Sequence, residues 1–171
     1  MNTDTIVYRR WDEADIVSLS RQIATSYRTA YAGLMDAAYL SSLDDAHWIP
    51  ILKGAMEAGD HCLLAELGGQ ILGSAVFGKT RMEAYPGYAE LHALYLLPDC
   101  IGRGIGHALY GKAERAMADQ GYVGCVLEVL AENERAKRFY AGHGFEMMSA
   151  FSVDENNMTL HCEVMRKAFP R

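Results

Sequence analysis

The chain of 171 residues has the length of one domain, and its composition, half hydrophobic and 22% charged, excludes an intrinsically disordered protein. A formal net charge of −6, from 16 basic and 22 acidic residues, disfavours nucleic-acid binding, which depends on cationic side chains. No apolar stretch approaches the roughly 18 residues that cross a bilayer, and the charged N-terminus lacks the apolar core of a secretory signal. We therefore expect a cytoplasmic protein that binds neither nucleic acid nor membrane.

The first third of the chain is predicted to be mostly helical. Residues 6–9 form a short β-rich run, and Asp12 then has the side chain of a helix N-cap, with acidic residues following in the first turn. Apolar residues recur at helical spacing after it, until Gly33 marks a break. Two shorter helices are predicted to follow, over residues 36–43 and 44–58.

From residue 61 onward the pattern alternates between strands and helices. Gly68 and Gly69 form a turn that joins two β-rich runs into a hairpin. A strand, a helix and another strand come next, which implies one parallel pairing with a right-handed crossover. The other strands suit antiparallel pairing, so we expect an α+β fold with a mixed sheet. The predicted strands lie at 61–67, 70–77, 88–97, 122–130, 145–153 and 158–166, with helices opening at Ile105 and Asn133.

A glycine-rich run, Gly102-Arg103-Gly104-Ile105-Gly106, lies between a predicted strand and a predicted helix. Alternate glycines let the backbone approach a ligand closely, and a helix start offers unpaired N–H groups with a partial positive charge. We therefore expect an anion cradle for a phosphate or diphosphate. The run is neither a Walker A loop nor a good dinucleotide fingerprint, since no Gly-Lys-Ser/Thr follows and the glycine spacing differs. The alternative is a turn that only tightens the link between strand and helix.

The second informative segment covers residues 127–145 and contains Asn133 and Tyr140. Asn133 has a side chain suited to capping the helix that follows. Tyr140 lies on the apolar stripe of that helix, so it is either a core aromatic residue or a hydroxyl that points into a cleft. A tyrosine with its ordinary pKa of about 10 is protonated at neutral pH and can donate a proton to a thiolate.

These two motifs resemble those of the GCN5-related N-acetyltransferase superfamily. The segment from Leu94 through Pro98 to Gly106 is similar to the acetyl-CoA diphosphate loop, and the segment from Asn133 to Phe145 is similar to the C-terminal motif. The matching core covers about residues 62–151 of a single domain, 1–171. The resemblance implies a mixed, mostly antiparallel sheet flanked by helices. Its two central parallel strands would splay apart and hold acetyl-CoA between them.

The resemblance also implies a set of cofactor contacts. Backbone groups near two leucines of the central strand would pair with the pantetheine arm, and amides of the glycine-rich run would hold the diphosphate. The side chain of Asn133 would reach the pantetheine or the cofactor tail. Ile101 departs from the usual glutamine or arginine, a side chain that Arg103 could partly replace. The expected cofactor-binding residues are Leu94, Leu96, Gly102, Arg103, Gly104, Ile105, Gly106, His107 and Asn133.

The activity that the resemblance implies is direct transfer of the acetyl group to a primary amine of a small molecule or peptide. Tyr140 is the expected acid, which protonates the leaving sulfur. Glu90 is the expected base, acting directly or through water, because related enzymes often carry a carboxylate at that position. His92 is the rival base, since a histidine titrates near neutral pH. Residues two apart share a strand face, so Glu90, His92, Leu94 and Leu96 are expected to point the same way unless a bulge intervenes.

The acceptor is less well defined than the cofactor. The acidic balance favours a cationic acceptor, and Glu128 could face the cleft or form a surface pair. Aromatic residues of the N-terminal helices either line the acceptor pocket, as in the family, or belong to the core, and these are Tyr27, Tyr31, Tyr39 and Trp48.

Assembly, metal content and the class of protein are separate questions. Homodimers are common in the superfamily, although no feature of this sequence demonstrates one. The four cysteines stand alone without zinc-ligand spacing, so no metal is expected. Two further hypotheses are a non-catalytic acyl-CoA-binding sensor or interaction module on the same fold, and a nucleotide-binding protein that uses the glycine-rich run.

Overall fold

The computed structural model describes residues 5–171 and consists of one seven-stranded sheet with helices on both faces. The strands are β1 (Val7–Arg10), β2 (His61–Leu67), β3 (Gln70–Lys79), β4 (Ala89–Leu96), β5 (Gly124–Leu130), β6 (Glu146–Glu155) and β7 (Met158–Ala168). The helices are α1 (Ile16–Ala30), α2 (Ala37–Ser42), α3 (Ile49–Glu57), α4 (Ile105–Asp119) and α5 (Glu134–Gly142). In this part of the chain, no helix combines the length and apolar character needed to span a membrane.

The predicted order of elements is confirmed, and the largest difference in bounds concerns α3. This helix begins at Ile49 rather than near residue 44. Pro50 lies in its first turn, where the missing N–H group costs no hydrogen bond. The residues before it form a separate turn, because the Asp44 side chain accepts the Ala46 N–H at 3.0 Å. The prediction for Asp12 holds, since its carboxylate accepts the Ala14 N–H at 2.8 Å at the start of the first helical turn.

The sheet splits between β4 and β5. The strand order is β1-β2-β3-β4-β5-β7-β6, and every neighbouring pair in the described chain is antiparallel except β4 with β5. That parallel pairing covers only Ala89 with Cys125 and Glu90 with Val126. Beyond Glu90 the edge of β4 that faces β5 therefore has no strand partner. The expected α+β fold with splayed central strands is confirmed.

A β-bulge in β4 alters which residues share a face. The register with β3 shifts by one residue at His92. Leu91 and Leu94 consequently pack in the same core cluster beneath α4, although regular alternation would place residues three apart on opposite faces. Glu90 and His92 therefore do not share a face with Leu94 and Leu96, because the extra residue inverts the alternation between the two pairs, and this bulge is the exception that the sequence prediction allowed for.

The N-terminus of α4 is anchored beside the split. Ile105 and Leu109 of α4 are buried against Leu94 and Leu96 of β4, together with Cys100 from the connecting loop. This packing fixes the first turn of α4 at the end of β4, next to the unpaired edge. The opposite face of the sheet is covered by α1, whose apolar residues Ile16, Leu19 and Ile23 are buried against it.

Candidate active site

A cleft of about 900 Å³ opens where β4 and β5 separate. Its walls come from these two strands, the glycine-rich run before α4, the start of α5 and the end of α1. The cleft brings together most of the site residues predicted from the sequence, namely Leu94, Leu96, Gly102, Gly104, Gly106, His107, Asn133 and Tyr140. Three other predicted residues do not line it. Ile105 is buried in the core, Arg103 is exposed, and Glu90 lies beyond the cleft wall.

The glycine-rich run adopts a backbone conformation that requires glycine at two positions. Gly102 has φ +78° and Gly104 has φ +82°, in the left-handed region that other residues rarely adopt. A Cβ atom at either position would meet nothing within 4 Å, so backbone conformation rather than space sets the requirement. The first backbone bond of α4 runs from the Ala108 N–H to the Gly104 carbonyl at 3.1 Å. The amides of residues 105–107 are thus left free at the helix start, as an anion cradle requires.

Gly106 has a different reason to be glycine. A Cβ atom there would lie 3.3 Å from a methyl group of Leu96 and 3.4 Å from the Phe139 ring. The absence of a side chain lets the first turn of α4 lie close to β4 and α5. A side chain at this position would therefore press on Leu96 and Phe139, both of which line the cleft.

Asn133 caps α5 through its side-chain oxygen, and its side-chain NH₂ group stays free. Its side-chain oxygen accepts the Ala136 N–H at 3.2 Å, which is the predicted capping role. The residue also lines the cleft. Because the cap uses only the oxygen, the side-chain NH₂ group remains available to a ligand. The two roles considered from the sequence are therefore compatible.

Tyr140 both packs in the core and lines the cleft. Its ring packs against Phe139 and Phe145, with centroid distances of 5.4 and 5.6 Å, and joins the core cluster beneath α4. The residue also lines the cleft. Burial raises the pKa of Tyr140 well above its usual value, and the nearby Tyr31 hydroxyl raises it further. The phenol is consequently held in its protonated form at neutral pH.

Glu90 lies behind His92 as seen from the cleft. Its carboxylate accepts hydrogen bonds from the Thr80 hydroxyl at 3.1 Å and the Arg81 N–H at 3.0 Å. Its Oε1 lies 3.6 Å from Nδ1 of His92, which does line the cleft. Burial alone would raise the pKa of Glu90, but hydrogen bonding to His92, the Arg81 amide and Thr80 holds it below its usual value. Glu90 is therefore an ionised neighbour of His92 rather than a cleft-lining group.

Two further acidic residues approach His92. Glu128, whose position the sequence left open, lines the cleft on the β5 side. Burial and the nearby charge of Glu90 raise the pKa of Glu128. Asp60 was not found by sequence reasoning, and its Oδ2 lies 3.7 Å from Nε2 of His92. The only signal for Asp60 was Gly78, an isolated glycine near the end of a strand pattern, which can mark a close approach of another group.

The aromatic residues of the N-terminal helices form one cluster, and only part of it reaches the cleft. The Tyr27 ring lies 4.5 Å from that of Tyr31 and 5.0 Å from that of Trp48. Tyr31 and Tyr95 line the cleft, and their hydroxyls are 3.3 Å apart. Tyr39 and the other two predicted aromatic residues do not line it. Among residues 5–171, no group of three or more metal-ligating side chains is found.

The sequence comparisons match this chain to acetyltransferases. The sequence model of the Acetyltransferase (GNAT) family matches residues 22–145. An uncharacterized N-acetyltransferase of Archaeoglobus fulgidus is 30% identical over 135 residues, which are 78% of this chain and 88% of that protein. The uncharacterized N-acetyltransferase YuaI of Bacillus subtilis is 30% identical over 124 residues, which are 70% of this chain and 68% of that protein.

Solved structures show the same fold at lower identity. The PaiA N-acetyltransferase of Thermoplasma acidophilum, crystallised in complex with coenzyme A, has a TM-score of 0.78 and 23% identity, over 96% of this chain and 99% of that chain. The ribosomal-protein-alanine N-acetyltransferase of Brucella melitensis has a TM-score of 0.73 and 22% identity, over 95% and 99% of the two chains. At these low sequence identities, the similarity shows that the fold is shared.

Proposed function

This chain belongs to the acetyltransferase (GNAT) family, and on that premise we propose that it transfers the acetyl group of acetyl-CoA to a primary amine of a small molecule or peptide. The observation that carries the proposal is the cleft in the split sheet, because it holds free helix-start amides and a protonated tyrosine along the same opening. The first group suits a diphosphate and the second suits a thiolate leaving group.

The residues around the cleft fit the coenzyme in three places. The amides of residues 105–107 and the positive end of α4 suit the diphosphate. The edge of β4 beyond Glu90 has no strand partner, so Leu94 and Leu96 can pair with the pantetheine amides as a neighbouring strand would. The free NH₂ group of Asn133 is a donor for the pantetheine or the tail of the coenzyme.

We assign the acid role to Tyr140. Acetyl-CoA supplies a thioester, and the amine nitrogen attacks its carbonyl carbon while the C–S bond breaks. The departing sulfur takes the electron pair of that bond and then a proton from the Tyr140 hydroxyl. A phenol whose pKa is raised by burial remains protonated for this task at neutral pH.

We assign the base role to Glu90 acting through His92. The incoming amine is an ammonium ion at neutral pH, and it must lose a proton before its nitrogen can attack. His92 lines the cleft, whereas Glu90 lies 3.6 Å behind it and is held ionised by Thr80 and Arg81. In this arrangement His92 meets the ammonium group, and the Glu90 carboxylate stabilises the imidazolium that forms. Glu128 adds a negative charge on the opposite wall, which favours a cationic acceptor.

Thiol release tests the proposal directly. Purified protein is mixed with acetyl-CoA and a panel of monoamines, polyamines, amino acids and peptides with free N-termini. We expect thiol release that requires both the protein and one class of amine, with an acetylated amine as the product in mass spectrometry. Tight acetyl-CoA binding without acetylation of any amine would instead support the sensor hypothesis. Weaker binding of acetyl-CoA than of ATP or NAD would favour a nucleotide-binding protein.

A further inference from the structure

Two histidines meet where α4 and α5 approach each other beside the cleft. His107 is the third residue of α4 and lines the cleft, and His143 directly follows α5. Nδ1 of His107 lies 2.7 Å from Nε2 of His143, which is a short hydrogen bond between two imidazoles. The Phe139 ring packs against both, with centroid distances of 4.9 and 4.7 Å. Because helix side chains lean toward the N-terminus, the His107 ring is held beside the free amides of residues 105–107.

The hydrogen bond limits the number of protons that the two rings can carry. A neutral imidazole has one N–H group and one lone pair, so one ring of the neutral pair donates and the other accepts. One extra proton preserves the bond, since a protonated ring then donates to a neutral one. A second extra proton would break it, because two N–H groups would face each other. The pair can therefore take up a single extra proton.

The groups around His143 keep that ring neutral. Burial lowers the pKa of His143, and the charges of a protonated His107 and of Lys167 lower it further. Glu114 has the opposite effect, but its carboxylate is paired with Lys167 at 2.7 Å. The Tyr110 ring lies 4.6 Å away, and its phenol is uncharged because burial raises its pKa. We therefore expect an extra proton to be held by His107, with His143 as the neutral acceptor.

The charge around His107 changes when an anion enters the cleft. The start of α4 contributes partial positive charge, which disfavours an imidazolium there. A diphosphate held by the amides of residues 105–107 would place negative charge next to the ring and so favour its protonated form. The charged residues of the cleft wall at the start of α5 are balanced in sign, and these are Glu132, Glu134, Arg135 and Arg138.

We propose that His107 and His143 form a proton-sharing pair that takes up one proton from solvent when the diphosphate of the coenzyme binds, an inference that rests on the proposed use of acetyl-CoA. The proton forms an N–H bond at whichever outer nitrogen, Nε2 of His107 or Nδ1 of His143, has the lone pair. Where that nitrogen belongs to His143, the shared proton moves across the hydrogen bond to His107. The His107 imidazolium then donates Nδ1–H to His143 and has Nε2–H left for the diphosphate. Because the bound state holds the extra proton more tightly, affinity is highest at low pH and is lost as the pH rises.

Calorimetric titration with dephospho-CoA at pH 6, 7 and 8 tests this linkage. The probe keeps the diphosphate but lacks the 3′-phosphate, whose own ionisation at about pH 6 would add to the signal. We expect Kd to rise about fivefold from pH 6 to pH 8, with net proton uptake when PIPES and imidazole buffers are compared. Equal Kd at all three pH values without proton uptake would overturn this inference alone. If neither dephospho-CoA nor coenzyme A binds at any pH, the proposed function fails with it.

Replacing His107 with glutamine removes the group that holds the proton and leaves the backbone amides in place. We expect this variant to match the wild type at pH 8 and to bind dephospho-CoA about fivefold more weakly at pH 6, so that its Kd no longer depends on pH. His47→Gln is the matched control, because His47 is exposed and does not line the cleft. Thermal melting shows whether each variant folds. A folded His107→Gln variant with the wild-type pH dependence would contradict the proposal.

Replacing His143 with phenylalanine tests the second member of the pair. The new ring can still pack against Phe139 and Tyr110, but it has no nitrogen to accept a hydrogen bond from His107. The imidazolium is therefore less stable, and we expect the rise in Kd to move to lower pH. His161→Phe is the control, since His161 is also hydrogen-bonded, to Ser152 at 2.8 Å, but does not line the cleft. A folded His143→Phe variant with the wild-type pH dependence would show that His107 acts alone and would overturn the pair.

Discussion

Replacing Tyr140 with phenylalanine is expected to lower kcat about 100-fold while leaving KM for acetyl-CoA nearly unchanged. The ring is packed between Phe139 and Phe145, and phenylalanine keeps that packing. Only the hydroxyl is lost, so the thiolate leaves without a proton donor. Because burial holds the pKa of Tyr140 well above its usual value, the hydroxyl should stay protonated between about pH 7 and 9. The wild-type kcat should therefore not fall in this range through loss of the acid.

Steady-state thiol release with the best amine of the panel measures this effect. Tyr122→Phe is the matched control, since Tyr122 also packs beneath α4 but does not line the cleft. An unchanged kcat in Tyr140→Phe would reject the acid role. A parallel loss of coenzyme binding would mean that Tyr140 acts by holding the coenzyme rather than by donating a proton.

Replacing Gly104 with valine is expected to weaken acetyl-CoA binding at least tenfold, since a hydrogen bond to a charged group contributes about 1.5–3 kcal/mol. Gly104 has φ +82°, and a β-branched residue is a strong outlier in that region. The backbone must rotate to relieve the strain, which turns the amides of residues 105–107 away from the diphosphate. A Cβ atom at this position meets no other atom of the protein within 4 Å, so the substitution acts on the fold through backbone strain rather than through a clash.

Calorimetric titration with acetyl-CoA gives the dissociation constants for this comparison. Gly111→Val is the matched control, because Gly111 lies on the same helix, has a negative φ angle and has open space at its Cβ position. We expect the control to bind acetyl-CoA as the wild type does. Equal affinity in the Gly104 variant and the control would show that the glycine-rich run is only a tight turn.

The elements of this fold are predictable from local chemistry. Gly68 and Gly69 supply the positive φ angles that their hairpin turn needs, and the turn occurs where the sequence places it. Asp12 caps the first helical turn for the reason that short polar side chains favour such positions. These signals depend on neighbours in sequence, which is why they are reliable without a structure. The start of α3 differs from the prediction because the Asp44 side chain accepts the Ala46 N–H in a separate turn, and Pro50 lies in the first turn of the helix that follows.

Most of the residues that line the cleft were equally accessible to sequence reasoning, whereas the face on which Glu90 lies was not. The glycine-rich run and the segment around Asn133 and Tyr140 are continuous motifs, and the split sheet brings both to one cleft. The face of Glu90 depends on a bulge at His92, which is fixed by the pairing of β4 with β3. No local pattern encodes that register shift.

The contact between Asp60 and His92 could not be predicted from the sequence either. Asp60 lies about thirty residues before His92 in the chain and approaches the imidazole because Gly78, on a third segment, has no side chain. Three separate segments must be assembled before the contact exists. Periodicity and capping rules describe one segment at a time, so they predict none of this arrangement.

The most direct test of the account is an amide ¹H–¹⁵N titration of the protein with coenzyme A. The central claim is that the start of α4 binds the diphosphate within the split between β4 and β5. The account predicts that the backbone amide signals of Ile105, Gly106 and His107 shift most, together with those of Leu94 and Leu96. Saturable shifts confined to other parts of the chain, with these five signals unmoved, would contradict it.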